Sequence, residues 1–196
     1  MKLPQIVGIS GTNGAGKDEL GKLLEERCGY SFHSVSELLR EELIRTGQSV
    51  NRENQAELSK KWRNESGDNG IMFTKAMDVY FAEKDAKNHK GLALVSIRHP
   101  DEVKRVHERD GIVVWVDADQ RMRYDRLQQS NRGRDEDRIS FEQFKIDEYR
   151  EMHPPTDAPS GSLDMKSVRE LVDVVIENDF LSLDAYRDYL IKEFEL

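Results

Sequence analysis

A glycine-rich loop near the start of the chain has the residue types and the spacing that bind phosphate. Residues 11–17 read Gly-Thr-Asn-Gly-Ala-Gly-Lys, so two glycines stand five positions apart and a lysine follows the second. Glycines let the backbone bend until several N–H groups converge on an anion, and the lysine adds a full positive charge for the outer phosphates. The loop therefore predicts that the chain binds a nucleoside triphosphate.

The segments on either side of this loop are those that would position it. Residues 5–10 are a short β-branched segment that predicts a buried strand, and residues 18–27 carry apolar side chains at helical spacing. A helix that starts at the loop adds about half a positive charge at its N-terminus. The glycine spacing does not match a dinucleotide-binding fingerprint, and an ordinary glycine turn is the alternative interpretation.

Asp18, directly after the loop, departs from the usual form of this motif. Serine or threonine normally occupies this position and binds Mg²⁺. A carboxylate is also a hard oxygen ligand for Mg²⁺, so Asp18 is the predicted metal ligand. The residues of this segment that are expected to bind nucleotide are Gly11, Thr12, Asn13, Gly14, Ala15, Gly16, Lys17, Asp18 and Glu19.

Composition limits the classes of protein to which the chain can belong. Its 196 residues favour one domain over 1–196, and the single cysteine, Cys28, excludes a disulfide framework. The net charge of −8 argues against a nucleic-acid polymer as partner. No apolar run approaches the ~20 residues of a membrane span, and the first residues lead straight into a strand. We therefore expect a cytoplasmic protein, monomeric or homodimeric, with a small-molecule partner.

Five apolar segments alternate with helical segments along the chain, which predicts an α/β three-layer sandwich with a five-stranded parallel sheet. The predicted strands are 5–10, 31–35, 92–97, 112–116 and 171–176. The predicted helices are 18–27, one from 34 or 36 to about 47, 51–66, 71–88, 100–109, 120–129, one from 140 and 181–194. Ser34 and Ser140 stand three residues before Glu37 and Gln143, which predicts two capping boxes.

Arginines stand where phosphoryl transfer would need positive charge. Arg98 directly follows the third strand, at the edge where ligands of α/β sheets gather. Arg132 and Arg134 lie in a short charged segment that predicts a lid over about 131–139. The chain lacks the Asn-Lys-x-Asp motif with which regulatory GTPases recognise guanine. A large motor or AAA-type ATPase would need a longer chain. A compact kinase remains, with an acceptor-binding helical region over about 36–90. Arg63 is expected to be structural.

Several segments together give the chain a specific resemblance. It resembles the nucleoside-monophosphate-kinase-like P-loop kinases, and in particular an adenylate-kinase-related, dephospho-CoA-kinase-like group. The similarity covers nearly the whole chain. The segments that carry it are Ser36-Glu37-Leu38-Leu39-Arg40, Asn51-Arg52-Glu53-Asn54, Ser96-Ile97-Arg98-His99-Pro100-Asp101, Val116-Asp117-Ala118-Asp119 with Arg121, Arg123, Arg126 and Arg132-Gly133-Arg134, and Ile176-Glu177-Asn178-Asp179.

The resemblance implies roles for individual residues, with ATP and Mg²⁺ as cofactors. Arg40 and Arg98, together with Ser36, would hold the acceptor phosphate. The implied catalytic residues are Lys17, Arg98, Arg132 and Arg134, the last two clamping the transferring phosphoryl group from the lid. Arg126 would approach the ATP phosphates or base, and Asn178 would lie near the adenine.

One position departs from the family pattern. The family often has an aspartate at the end of the third strand, where this chain has Val95. Asp18 or Asp117 is left to replace that acid, although Asp117 is first expected to cap the following helix. The leading hypothesis is an ATP-dependent phosphotransferase that acts on a nucleoside monophosphate or a similar phosphorylated molecule. The alternatives are a dephospho-CoA-kinase-like enzyme and a nucleotide-binding regulator with weakened catalysis.

Overall fold

The core of the fold is a sheet of five strands that all run parallel. The computed structural model describes residues 1–130, 139–155, 157 and 161–196, and for residue 52 the backbone alone. The strands are β1 (Ile6–Gly11), β2 (Tyr30–Ser34), β3 (Gly91–Val95), β4 (Ile112–Asp117) and β5 (Val174–Glu177). They hydrogen-bond in the order β2-β3-β1-β4-β5. Because β1 has β3 on one side and β4 on the other, its carboxyl end lies where chain connections diverge and ligands bind in such sheets.

Helices follow the strands throughout the described part of the chain. They are α1 (Lys17–Cys28), α2 (Val35–Arg45), α3 (Arg52–Ser66), α4 (Ile71–Lys87), α5 (Pro100–His107), α6 (Gln120–Gln129), α7 (Phe141–Met152), α8 (Met165–Leu171) and α9 (Leu183–Phe194). Within the described ranges, none of them is long and apolar enough to cross a membrane.

The two faces of the sheet are covered by different helices. Successive strand residues point to opposite faces, so Leu94 and Trp115 pack with residues of α2, α3, α4, α5 and α8 on one face. Ile9 and Val114 pack with residues of α1 and α9 on the other. These residues are buried because both faces are covered, which explains why the strands read as continuous apolar runs. The predicted α/β three-layer sandwich is confirmed.

The largest difference from the sequence prediction lies before the last strand. Residues 171–176 were predicted as one strand, but Leu171 ends α8 and β5 begins only at Val174. Asp164 caps α8 by accepting a hydrogen bond from the Ser167 N–H at 3.0 Å, and Met165 and Val168 bury one side of the helix. A seven-residue helix with two buried anchors is too short to give a clear helical period.

Helix caps agree in part with the predicted signals. Asn51 accepts from the Asn54 N–H at 2.8 Å, and Ser140 accepts from the Gln143 N–H at 3.2 Å. Ser34 occupies the N-cap position of α2, but its hydroxyl makes no capping hydrogen bond there and lines a cleft instead. The capping box predicted at Ser34 is therefore wrong, although the position of the helix start is right.

A buried ion pair joins α3 to α5. Arg63 Nη2 lies 2.9 Å from Glu102 Oε1, and both side chains are almost completely buried. Arg63 also donates to the Ser59 hydroxyl and to the carbonyls of Gly161 and Asn69. These bonds satisfy the guanidinium, as burial of a charge requires. The structural role predicted for Arg63 agrees with this arrangement.

We expect the Arg63→Met variant to lower the free energy of unfolding by about 3 kcal/mol or more, because it leaves Glu102 buried without its cation. Urea denaturation measures this change. Arg45→Met is the matched control, since Arg45 pairs with Glu42 at the surface, and its unfolding midpoint should stay at the wild-type value. Equal midpoints for the two variants would contradict the role assigned to the buried pair.

Candidate active site

A cleft of about 750 Å³ opens at the carboxyl edge of the sheet. The glycine loop and Lys17 line one part of it, together with residues that follow β5. The starts of α2 and α3, the turn after β3 and the end of α7 line the other part. We call the first part the nucleotide end and the second part the acceptor end. A site between two such ends can bring two substrates together.

The loop after β1 has a backbone that requires its glycines. Gly11, Gly14 and Gly16 have φ angles of 134°, 80° and 96°, a region that side chains disfavour. A Cβ at Gly11 would lie 1.9 Å from the carbonyl oxygen of Val116, and one at Gly16 would lie 2.6 Å from Asn178 Nδ2. The loop can therefore form only with glycine, and it has the shape of an anion cradle at the start of α1.

Lys17, the first residue of α1, places its amine against this loop. Lys17 Nζ donates to the Thr12 carbonyl at 2.6 Å, and the residue is 9% exposed. Burial and, to a smaller extent, the neighbouring positive charge of Arg98 lower the pKa of Lys17 to about 8, against the opposing effect of Asp18 and Glu151. An anion bound in the loop would be a partner of opposite charge for this amine and would favour its protonated form.

Asp117 fixes the loop rather than capping a helix. Its carboxylate accepts from the Thr12 hydroxyl at 2.6 Å and from the Ala118 N–H at 2.9 Å. The cap of α6 is Asp119, which accepts from the Met122 N–H at 2.9 Å. The predicted capping role of Asp117 is therefore wrong, because the strand extends one residue further than predicted and shifts the cap to Asp119.

Asp18 lies in the cleft, as a magnesium ligand would have to. No group of three or more His, Cys, Asp or Glu side chains is arranged to hold a metal among the residues that the structure describes. Mg²⁺ in nucleotide sites is commonly held by one or two carboxylates and the substrate phosphates. Asp18 fits that pattern, and its role as a metal ligand stays a prediction.

Besides the loop, the nucleotide end contains Arg126 and Asn178, which the resemblance places near the nucleotide. Arg126 Nη2 donates to the carbonyls of Asn178 and Phe180 at 2.8 and 2.9 Å, and so holds the segment that follows β5. Asn178 Nδ2 donates to the Ala15 carbonyl of the loop at 2.7 Å. Both residues line the cleft beside the loop, where the sequence placed them.

Three buried polar atoms at this end have no hydrogen-bond partner within the described ranges: Arg126 Nη1, Asn178 Oδ1 and the Tyr186 hydroxyl. Buried polar groups are almost always paired, so such atoms indicate a ligand or a water. Burial raises the pKa of Tyr186 well above its usual value, which keeps the hydroxyl protonated. Sequence reasoning missed Tyr186 because it stands in register with the apolar residues Leu190 and Phe194 on the buried side of α9.

At the acceptor end, the structure holds Arg98 by both its backbone and its side chain. Glu102 accepts a hydrogen bond from the Arg98 N–H at 2.9 Å, and the Arg98 carbonyl accepts from the Asp164 N–H at 3.1 Å. Arg98 Nη1 lies 3.3 Å from Glu151 Oε1 of α7, and both residues line the cleft. Sequence reasoning missed Glu151, whose place depends on how α7 packs.

Arg40 is not among the described residues that line the cleft. Its side chain is 40% exposed and lies 3.9 Å from Glu37, because α2 buries Leu39 and turns the next residue aside. Its role in holding the acceptor phosphate stays a prediction. Ser36 does line the cleft, as expected.

Val95 stands in the core, at the position where the resemblance would place an acid. Val95 is fully buried, and its Cγ2 lies 2.8 Å from where a Cβ on Gly21 of α1 would stand, so it packs between the sheet and α1. An aspartate placed there would be buried in the core. Arg132 and Arg134 lie outside the described residues, and their roles and the lid over 131–139 stay predictions.

Comparison with known proteins agrees with this fold. A family model described as AAA domain matches residues 7–153. A UPF0200 protein from Pyrobaculum aerophilum is 28% identical over 149 residues, which cover 75% of this chain and 77% of that protein. The fold resembles a shikimate kinase from Bacteroides thetaiotaomicron, with a TM-score of 0.60 and 15% identity over 97% of this chain and 98% of that one. It also resembles the protein TT1252 from Thermus thermophilus, with a TM-score of 0.55 and 21% identity over 100% of this chain and 99% of that one.

These similarities confirm the recognition of a P-loop kinase-like protein and its fold. The matching family model carries the description AAA domain and covers residues 7–153, and the expectation that the chain is too short for a large motor or AAA-type ATPase stays a prediction.

We expect the stability of the wild type, relative to a Lys17→Met variant, to rise between pH 8 and 10.5. The unfolded lysine keeps its proton up to about 10.5, whereas the folded one loses it near 8. The unfolded state therefore binds more protons in this interval, and the free energy of unfolding increases with pH by up to about 3 kcal/mol. Urea denaturation of both proteins at several pH values measures the difference, and a constant difference would contradict the burial of a charged amine.

Proposed function

The chain belongs to the AAA domain family, and from that premise we propose that it is an ATP- and Mg²⁺-dependent phosphotransferase with a small-molecule acceptor. The observation that carries the proposal is the buried amine of Lys17, which stands in a glycine cradle at the start of α1. Positive charge held in a cleft attracts an anion and stabilises charge that develops during phosphoryl transfer.

The residues at the nucleotide end fit a nucleoside triphosphate. The loop N–H groups and Lys17 would hold the outer phosphates, and Asp18 would contribute a ligand to the Mg²⁺ that neutralises them. Arg126, Asn178 and Tyr186 have polar atoms without a hydrogen-bond partner among the described residues, and these atoms offer both donors and acceptors at this end. They support the proposal that the base or sugar of ATP lies there.

At the acceptor end, Arg98 would bring positive charge to the transferring phosphoryl group. In-line transfer needs the two substrates held close together and water excluded, and it needs no covalent intermediate on the protein. The proposal includes a lid over 131–139 whose Arg132 and Arg134 complete this charge. It also includes the cytoplasm as the location of the protein.

The acceptor was first expected to be a nucleoside monophosphate or a similar phosphorylated molecule, with a dephospho-CoA-kinase-like enzyme as the alternative. One observation favours a different candidate function, a nucleotide-binding regulator with weakened catalysis. The nucleoside-monophosphate-kinase-like proteins that the chain resembles often have an acid at the end of the third strand. Here that position holds Val95, which is buried in the core, and Asp117 is hydrogen-bonded to Thr12. Asp18 is then the acid that would serve as a ligand to Mg²⁺, and turnover decides between the two functions.

We expect Mg²⁺·ATP and the correct acceptor to give ADP far above the background without acceptor, and Lys17→Ala to lower this rate by about 100-fold or more. Mass spectrometry of ADP and product measures turnover. The panel of acceptors contains ribonucleoside and deoxynucleoside monophosphates, dephospho-CoA and phosphomevalonate. Lys192→Ala is the matched control, since that lysine is exposed on α9.

Three outcomes of this assay would contradict the proposal in different ways. Near-normal turnover by Lys17→Ala would remove the assigned role of the loop. ADP formation that does not depend on any acceptor would indicate an ATPase. Tight ATP binding with no ADP formation would favour the regulator.

A further inference from the structure

A carboxylate lies where the two ends of the cleft meet. Glu151 lines the cleft together with Lys17 and Arg98, and it also borders a small pocket beside Thr12 and Asn13. Its side chain is 20% exposed, and Oε1 lies 3.3 Å from Arg98 Nη1. Its charge also acts on the amine of Lys17. Glu151 is therefore next to the loop that would hold the outer phosphates.

The packing of α7 holds this carboxylate in place. One turn before it, Glu148 accepts hydrogen bonds from Arg123 Nη1 and from Gln120 Nε2 of α6. Further along the same helix, the ring of Phe144 lies 5.8 Å from the ring of Tyr124. Residues three apart on a helix share a face, so the contacts that fix Glu148 against α6 also orient Glu151 toward the cleft.

A carboxylate in this position discriminates between two kinds of acceptor. An acceptor phosphate carries its own negative charge, so it would be repelled by Glu151 and would have to compete with it for Arg98. An acceptor hydroxyl instead has to lose a proton when it is phosphorylated, and a carboxylate within reach can take that proton.

Much of the remaining lining of the acceptor end fits an uncharged group. Ser34, Ser36 and Gln55 line it with hydroxyl and amide groups, and Phe32 and Leu39 add apolar surface. Two charged residues also line it, and each has a partner of opposite charge: Arg63 pairs with Glu102, and Glu37 lies 3.9 Å from Arg40. Such a surface suits a molecule that offers hydroxyls and an apolar part.

We propose that the acceptor is an alcohol and that Glu151 is the catalytic residue that accepts the proton of its hydroxyl. This inference rests on the proposed function. The acceptor oxygen forms a bond to the γ-phosphorus of ATP, and the bond from that phosphorus to the β,γ-bridging oxygen breaks. The electron pair of the broken bond leaves on ADP. The hydroxyl proton passes to Glu151 and then to water.

The first test identifies the bond that is made. The protein is incubated with Mg²⁺·ATP and two sets of acceptors: nucleosides, deoxynucleosides and dephospho-CoA, which offer a hydroxyl, and nucleoside monophosphates and phosphomevalonate, which also offer a phosphate. Phosphorus NMR separates a new phosphate ester from a new phosphoanhydride. We expect an ester.

The other results of this test have different meanings. A phosphoanhydride alone would overturn the alcohol acceptor while supporting the proposed phosphotransferase. Bound ATP with no transfer to either set would overturn the phosphotransferase itself, and the inference with it.

The second test separates a catalytic role of Glu151 from a structural one. With the alcohol acceptor found above, Glu151→Gln should lower kcat by about 100-fold, because the amide cannot take a proton, while the KM of each substrate stays within about threefold. Glu151→Asp should recover part of the loss, since it keeps a carboxylate.

Glu142→Gln is the matched control for this test. Glu142 is an exposed carboxylate on the same helix that pairs with Lys145 at 2.8 Å, and its variant should keep the wild-type kcat. A wild-type kcat for Glu151→Gln, or a change in KM alone, would overturn the proposal. An equal loss of kcat in both variants would overturn it too, because Glu151 would then have no special role.

Discussion

The burial of one positive charge, the amine of Lys17, is the constraint on which the rest of the site depends. The amine is withdrawn from water and bonded to the Thr12 carbonyl, and burial lowers its pKa to about 8. A charge in this environment is stabilised by an anion, and the start of α1 presents N–H groups in the same direction. The left-handed glycines at 11, 14 and 16 are the backbone that makes this arrangement possible.

The sheet gathers around this charge the groups that would act with it. The carboxyl ends of β1, β3, β4 and β5 share one edge, so Asp117 reaches the loop through Thr12 and Asn178 reaches it through Ala15. Arg98 is held there by Glu102, whose other oxygen binds Arg63. The ion pair that joins α3 to α5 is therefore also the support for the acceptor end.

The sequence predicted best what depends on local spacing. The glycine loop, the strand before it and the helix after it follow from neighbouring residues, and the place of Arg98 follows from the end of one strand. The side-chain direction of Arg40 does not follow from spacing in the same way, because the rotation of a helix is set by its packing. On α2, Leu39 is buried in the core, whereas the side chain of the next residue, Arg40, is 40% exposed.

Glu151 and Tyr186 could not be predicted for a related reason. Each belongs to a helix far from the loop in sequence, and each reaches the cleft only because that helix packs at one particular place. Glu148 and Arg123 fix α7, and Tyr186 reaches Gly16 from the buried side of α9. Neither residue stands in a recognisable motif. Short helices such as α8 have too few residues to show a helical period in the sequence.

The most direct test of the central claim is calorimetric titration with Mg²⁺·ATP at pH 8.5, in two buffers of different ionisation enthalpy. Lys17 is partly neutral in the free protein at that pH, and a bound triphosphate favours its charged form, so binding should take up a fraction of a proton per site. The account predicts one ATP per chain and a heat that depends on the buffer. A protein that binds no ATP, or binds it with the same heat in both buffers, would contradict it.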